Sequence, residues 1–392
     1  MSIIGQLMQK FLAKPPPRHS HRSDGVFKTI VVGTSGDTGS AAIHAVRDCP
    51  SLDIVVLYPK GRISKVQELQ MITEPKAHVF ATEGTSDDLD APIKSVLSDA
   101  SFASQHHLCS INSINLARVV IQSAHFFYAY AQLMTREDFE AKRPLLASIP
   151  CGACGDLVGA IIAREMGLPL TLIAAVNEND IVARAMQTGK FQTAPEVFAS
   201  TSPSMDIQVP YNWERVVYYA SGGDVEQVKR FMETFEADPR KGAKMDDRWW
   251  LWLKQFITAQ SVTVDQVAQI TKQVHEAEKY ILDPHTAVGL KAFLLAEAKK
   301  DGESGENGKS NAMTKHASHH TVVVLSTATP HKFEESVKPT LGLQQLPNPP
   351  EAFKGLEEKP TYVKKMEVGE DWEDLLRLEI INITNSREAR SH

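Results

Sequence analysis

The sequence predicts an α/β protein built on parallel sheets. From residue 28 onward, short apolar stretches rich in β-branched residues alternate with helix-like stretches, and polar, often glycine-bearing turns follow several of the apolar ones. Strands covered on both faces need near-continuous apolar runs, and strand–helix–strand units return the chain in right-handed crossovers, hence in parallel. With 392 residues, 42% of them hydrophobic, the chain has material for two domains.

In chain order, Ile3, Ile4, Leu7, Met8, Phe11 and Leu12 repeat at helical spacing, so a first helix is expected there. Residues 1–22 hold Lys10, Lys14, Arg18 and Arg22 and no acid, a pattern shared with mitochondrial transit peptides. "KPPPRHSHRSDG" (14–25) is a loop, because its three prolines cannot continue a helix. "KTIVVG" (28–33), "LDIVVLYP" (52–59) and "AHVFAT" (77–82) read as strands, with helices near 38–47, 64–72 and 86–104. A short strand "LCSI" (108–111) leads to a helix at 114–133. "RPLLASIP" (143–150) starts a second series: a loop and helix (151–166), the strand "LPLTLIAAV" (168–176), and helices to about 299. Residues 301–320 are polar and glycine-rich, a disordered insertion by composition. "TVVVLST" (321–327) resumes the core, 341–369 is rich in proline and lysine, and 370–383 reads as a closing helix.

Composition excludes several classes. A net charge of -6 argues against a nucleic-acid binder, and no apolar run is long enough to span a bilayer. Cys49, Cys109, Cys151 and Cys154 are too few for a disulfide framework, which points to a reducing compartment. The cytoplasm is therefore expected, with the mitochondrion as the alternative. The sequon at Asn382 carries little weight without a secretory signal.

Chemistry gathers at the strand-to-helix turns. "GTSGDTG" (33–39) joins glycines to Thr34, Ser35 and Thr38 at a helix start, a natural anion site in such folds; the plain alternative is a tight turn. It is not a G-x-G-x-x-G dinucleotide fingerprint. "IPCGACGDLVGA" (149–160) repeats the arrangement, with backbone N–H groups from Gly152 to Asp156 free to cradle a phosphate. Its C-x-x-C raises a redox or zinc reading, but neither a thioredoxin-like setting nor a second ligand pair is present. In "SINSINLARVV" (110–120), Asn112, Ser113, Asn115 and Arg118 suit a phosphate or carboxylate, or else supply helix caps and a solvated arginine. Lys60, Arg62 and Ser64 lie in "YPKGRIS" (58–64), a weak signal alone. Ser326 and Thr327 stand at another strand end, where a hydroxyl would meet a ring nitrogen, and His285 in "DPHTAVG" reads as a cap or core residue. Two anion cradles among such turns fit an enzyme that takes a phosphorylated cofactor and a charged substrate.

At these residues the sequence resembles threonine synthase and the threonine-synthase-like phospholyases. "VVGTSGDTGSAA", "YPKGRIS" with "VQELQM", "SINSINLAR", "MDIQVPYNWERV" (205–216), "ILDPHTAVG" and "LSTATPHKF" match in order, over roughly residues 1–380. The resemblance implies a fold-type II pyridoxal 5'-phosphate enzyme of tryptophan synthase β-like architecture. It implies that Gly152, Ala153, Cys154, Gly155 and Asp156 bind the cofactor phosphate, Thr327 the pyridine nitrogen, and Asp37 the cofactor hydroxyl. Ser35, Gly36 and Thr38 would line the substrate carboxylate; Lys60, Asn112, Ser113 and Arg118 would hold the substrate phosphate. The substrate implied is a small phosphorylated amino acid, O-phosphohomoserine or O-phosphothreonine, and the product threonine or 2-oxobutyrate. Cys151, Cys154 and Asp156 depart from the commoner family pattern, in which Asn often stands at the aspartate's position.

By the same resemblance, residues 1–24 are a helix and linker of the large domain, 25–135 a small domain, 136–340 the large domain and 341–392 an extension. In the family a lysine in Ala-Phe-Lys-Asp, just ahead of the first helix, forms the Schiff base. "MSIIGQLMQKFL" matches the helix that follows it, so the expectation is a chain truncated past its catalytic lysine and inactive as it stands. Lys28 opens a strand and is a poor substitute. Alternatives are a non-catalytic short isoform with a binding or signalling role, and another pyridoxal phosphate elimination enzyme such as a hydroxy-amino-acid dehydratase.

Overall fold

The computed structural model describes residues 1–12, 27–300 and 321–391; the loop expected at 14–25 and the whole insertion at 301–320 lie outside them. The helices are α1 (Ser2–Leu12), α2 (Asp37–Val46), α3 (Lys65–Ile72), α4 (Asp90–Ser98), α5 (Ala100–Gln105), α6 (Leu116–Leu133), α7 (Arg136–Glu140) and α8 (Gly155–Glu165). They continue as α9 (Ile181–Thr188), α10 (Trp213–Ala220), α11 (Val225–Ala237), α12 (Asp247–Lys254), α13 (Val264–Glu278), α14 (Pro284–Lys300), α15 (Glu334–Leu341) and α16 (Trp372–Ser391). The strands are β1 (Lys28–Gly33), β2 (Leu52–Pro59), β3 (Ala77–Thr82), β4 (Leu108–Cys109), β5 (Leu145–Pro150) and β6 (Leu170–Val176). After them come β7 (Lys190–Phe191), β8 (Ala243–Lys244), β9 (Ile257–Ser261), β10 (Val322–Val324) and β11 (Lys364–Met366).

The described chain divides into two compact units, Met1–Arg118 with Asn348–His392, and Val119–Pro347. The first is built on a five-stranded sheet in the order β11-β3-β2-β1-β4, with every pairing parallel. β1, β2 and β3 are buried on both faces, as their apolar runs demand. Val31, Leu57, Phe80, Ile93, Leu376 and Ile380 form a core between the sheet, α4 and α16. α1 packs on α2 in this unit, with Gly5 set against the Ala45 backbone.

Three elements here differ from the sequence reading. The helix expected at 86–104 is broken into a 3-10 turn, α4 and α5, because the Asp99 side chain caps the Phe102 N–H at 3.0 Å and starts a new helix. The proline- and lysine-rich stretch hides β11, an edge strand whose Lys364 and Lys365 are exposed and only Met366 buried, so it gives no apolar signal. The closing helix runs on to Ser391, and its Glu379 binds both His78 of β3 and Lys364 of β11. Those partners, His78 foremost, hold the Glu379 carboxyl down at about 2 although burial opposes them.

The second unit carries a four-stranded parallel sheet, β10-β5-β6-β9, and an antiparallel pair, β7-β8. One face is covered by α13 and α14 through Val267, Ile270, Val288 and Ala292. The other bears α8 and an aromatic cluster in which Phe191 stacks on Trp213 at 5.2 Å and meets Phe235 at 4.6 Å. β9 ("ITAQS") escaped the sequence reading because it is a polar edge strand. β10 is shorter than expected, so Ser326 and Thr327 stand beyond its end.

Candidate functional site

In each sheet the strand order changes direction beside the first strand. In the first unit β2 and β3 extend to one side of β1 while β4 joins the other; in the second, β6 and β9 lie to one side of β5 and β10 to the other. Ligands of open α/β sheets bind at the carboxyl ends of the strands flanking such a reversal. Both glycine-bearing turns sit there.

In the first unit, β1 ends at Gly33 and α2 begins at Asp37. The Thr34 hydroxyl accepts the N–H groups of Gly36 at 3.0 Å and Gly39 at 2.9 Å, folding the turn on itself. Gly36 has φ of 133°, and a Cβ there would strike the Gln67 amide of α3, so only glycine fits. Across the reversal, Asn112 Nδ2 donates to the Gly33 carbonyl at 2.6 Å and Ser110 Oγ donates to Asn112 Oδ1 at 3.2 Å. Arg118, in the first turn of α6, donates to the Thr38 hydroxyl at 3.2 Å and the Ile111 carbonyl at 3.4 Å. Thr38, Asn112 and Arg118 are thus tied to one turn, beside Ser35, Gly36 and the buried Ser113. Asn115 serves the backbone, bonding the Ser110 carbonyl and the Ala117 N–H. Lys60 is exposed after β2, and no bond joins its ammonium to these residues. Ser64 forms a capping box with Gln67, which accounts for part of "YPKGRIS" structurally.

In the second unit the loop after β5 opens α8. Cys154 precedes the helix at φ 63°, ψ 20°. The N–H groups from Gly152 to Leu157 make no hydrogen bond among the described residues, while Val158 N–H already bonds the Cys154 carbonyl at 3.1 Å. Orphan N–H groups at a helix start are an anion cradle. Gly152 is needed there: a Cβ would lie 2.7 Å from the Ser204 carbonyl oxygen and 3.1 Å from Ile207 Cδ1. Asp156 would oppose an anion, but its Oδ1 lies 3.3 Å from Nε2 of His125 on α6. Cys151 and Cys154 are buried free thiols whose sulfurs approach the carbonyls of Ile149 (3.2 Å) and Gly152 (3.7 Å). A hydrogen bond to Cys154, then burial, push the Cys151 thiol well above its usual range, so it stays protonated. On the adjacent strand, β10 keeps register with β5, and Thr327 stands exposed just past its end.

The segment 200–215 backs this loop, and the sequence reading gave it no role. Asn212, fully buried, donates from Nδ2 (2.8 Å) and from its backbone N–H (3.3 Å) to the Ala153 carbonyl, while Arg215 donates to its Oδ1. The readable signal was the i, i+3 pair inside "YNWERV". Asp206 accepts from Asn177 Nδ2 (2.7 Å), Asn179 Nδ2 (3.2 Å), Ser200 Oγ (2.6 Å) and Ser200 N–H (2.9 Å). Burial still leaves its carboxyl above the usual range. His285 Nε2 accepts from Ser204 N–H at 3.2 Å, so its proton sits on Nδ1, 3.3 Å from Asp283 Oδ1. Burial pushes Asp283 up, but the bonds from His285 and Thr286 prevail and hold it below the ordinary range. His285 is thereby a core and cap residue, as its sequence setting suggested.

A family model described as "Threonine synthase, C-terminal" matches residues 308–377. Threonine synthase-like 2 of Mus musculus is 38% identical over 97% of this chain and 73% of its own length. Threonine synthase of Saccharomyces cerevisiae is 32% identical over 87% of this chain and 65% of its own. Among solved structures, a PLP-bound threonine synthase from Brucella melitensis aligns with a TM-score of 0.76 at 30% identity, covering 97% of this chain and 74% of that one. The yeast threonine synthase structure aligns at 0.78, with 29% identity over 98% and 75%. Two parallel sheets, each with a glycine-bearing turn at its reversal point, thus accompany similarity along nearly the whole sequence, and the chain belongs to the threonine synthase-like family.

Proposed function

We propose that this protein binds pyridoxal 5'-phosphate through its second unit and takes part in phosphate elimination from a small phosphorylated amino acid, O-phosphohomoserine or O-phosphothreonine. The observation that carries the reading is the row of N–H groups from Gly152 to Leu157 that have no partner among the described residues, with Gly152 admitting close approach and Asp156 engaged by His125. These groups fit a phosphate, and Gly152, Ala153, Cys154, Gly155 and Asp156 would hold it by backbone donors. Thr327, one strand over, offers a neutral hydroxyl to the pyridine nitrogen, and Asp37 is assigned to the cofactor hydroxyl.

When bound, the cofactor supplies an electron sink for the carbanion left by α-proton removal. In the first unit, Ser35, Gly36 and Thr38 receive the substrate carboxylate. Lys60, Asn112, Ser113 and Arg118 receive its phosphate, and charge-assisted donors of that kind stabilise phosphate as it leaves. Threonine results where water adds back to the β-carbon; where it does not, the released enamine is hydrolysed to 2-oxobutyrate and ammonia.

The test is phosphate release from O-phosphohomoserine and O-phosphothreonine by the purified protein, with and without added pyridoxal 5'-phosphate. The reading expects cofactor-dependent release from at least one of them. Release from neither, by protein that has bound the cofactor, would overturn it.

A further inference from the structure

Resting on the reading of residues 152–157 as a phosphate cradle, we propose that Asn212 is the positioning residue that holds the cradle in its anion-binding form. A trans peptide points its C=O and N–H in opposite directions. Two donors of Asn212 hold the Ala153 carbonyl, at 2.8 and 3.3 Å, so the N–H of Cys154 faces the other way. The amide orientation of Asn212 is fixed by its partners, because Arg215 only donates to Oδ1 and the carbonyl only accepts from Nδ2.

The backbone at Cys154 shows why such a hold is needed. Its φ of 63° is left-handed, which a residue with a Cβ resists. Rotating the Ala153–Cys154 peptide by half a turn would bring Cys154 into the ordinary negative-φ range. It would also aim a carbonyl oxygen where the anion sits. The intrinsic preference of Cys154 therefore opposes the cradle, and the bonds to Asn212 oppose the rotation. Rotation would break both Asn212 bonds to the Ala153 carbonyl at a site with 0% exposure, which is costly.

The experiment is calorimetric titration of the full chain with pyridoxal 5'-phosphate, inorganic phosphate and pyridoxal. Asn212→Ala should weaken the two phosphate-bearing probes by about tenfold or more and leave pyridoxal unchanged. Adding Cys154→Gly to that variant should recover most of the loss, because glycine adopts φ of 63° without penalty. A merely structural asparagine would not be rescued in this way. If Asn212→Ala does not fold, Arg215→Gln serves: it keeps Asn212 but unties Oδ1, and should cost a few-fold in the same phosphate-selective order. Unchanged phosphate affinity in the folded variant, equal loss for pyridoxal, or no rescue by Cys154→Gly would overturn the inference. A parent chain that binds neither phosphate-bearing probe would overturn the cradle reading itself.

Discussion

The two reversal-point turns look alike in sequence and are completed in opposite ways. In the first unit the turn closes on itself: Thr34 takes the N–H groups of Gly36 and Gly39, Asn112 spans to Gly33, and Arg118 bonds Thr38. The N–H groups of Gly36 and Gly39 are thereby already taken. In the second unit the turn stays open on its N–H side and is braced from behind by Asn212, Ser204 and His285. A self-satisfied turn is suited to a ligand that comes and goes. An unsatisfied one gains most when an anion stays bound, since the orphan donors are then paired.

Substitutions should separate the two. Arg118→Ala removes the charged donor from the first turn and should lower kcat/KM for the phosphorylated substrate by about 2–4 kcal/mol, while cofactor affinity measured by titration is unchanged. Gly152→Ala acts on the second turn alone. Its Cβ would crowd the Ser204 carbonyl, so cofactor affinity should fall by about 2 kcal/mol, roughly thirtyfold, and the melting temperature should fall with it, because backbone must shift to admit the methyl.

Smaller effects test how the first turn is supported. Glu379 has its carboxyl lowered to about 2 in the folded chain, from an ordinary value near 4.5. A lowered carboxyl stabilises the fold fully above the unfolded value and ceases to as pH falls through the folded one. Glu379→Gln should thus cost about 1–2 kcal/mol in urea unfolding at pH 7, and the difference from the parent should shrink from pH 4.5 downward and vanish by about pH 2. Thr34→Val, which strips the acceptor from two N–H groups, should cost about 1 kcal/mol in the same measurement and leave cofactor binding intact.

The parts legible in the sequence were those written in apolar runs and in turn chemistry. β1, β2, β3, β5 and β6 announced themselves by continuous burial, and "GTSGDTG" and "IPCGACGD" by glycine next to hydroxyls or a helix start. What stayed hidden depended on distant partners. Edge strands β9 and β11 carry polar faces because one side has no neighbour to bury against. The link from Asn212 to Ala153 joins residues 59 positions apart, and nothing in either local stretch declares it. The pairing of Asp156 with His125 is of the same kind: the aspartate looked out of place beside an anion until the histidine from α6 was seen against it.

The central claim is that the open turn of the second unit, and not the closed turn of the first, receives the cofactor phosphate. Selective ¹⁵N-glycine labelling reads it directly, because each turn carries its own glycines. On addition of pyridoxal 5'-phosphate, the amides of Gly152 and Gly155 should shift downfield as they donate to the anion, and inorganic phosphate should move the same two signals. Gly36 and Gly39, whose N–H groups are already bonded to Thr34, should move far less. Large shifts at Gly36 and Gly39 with none at Gly152 and Gly155 would contradict the account.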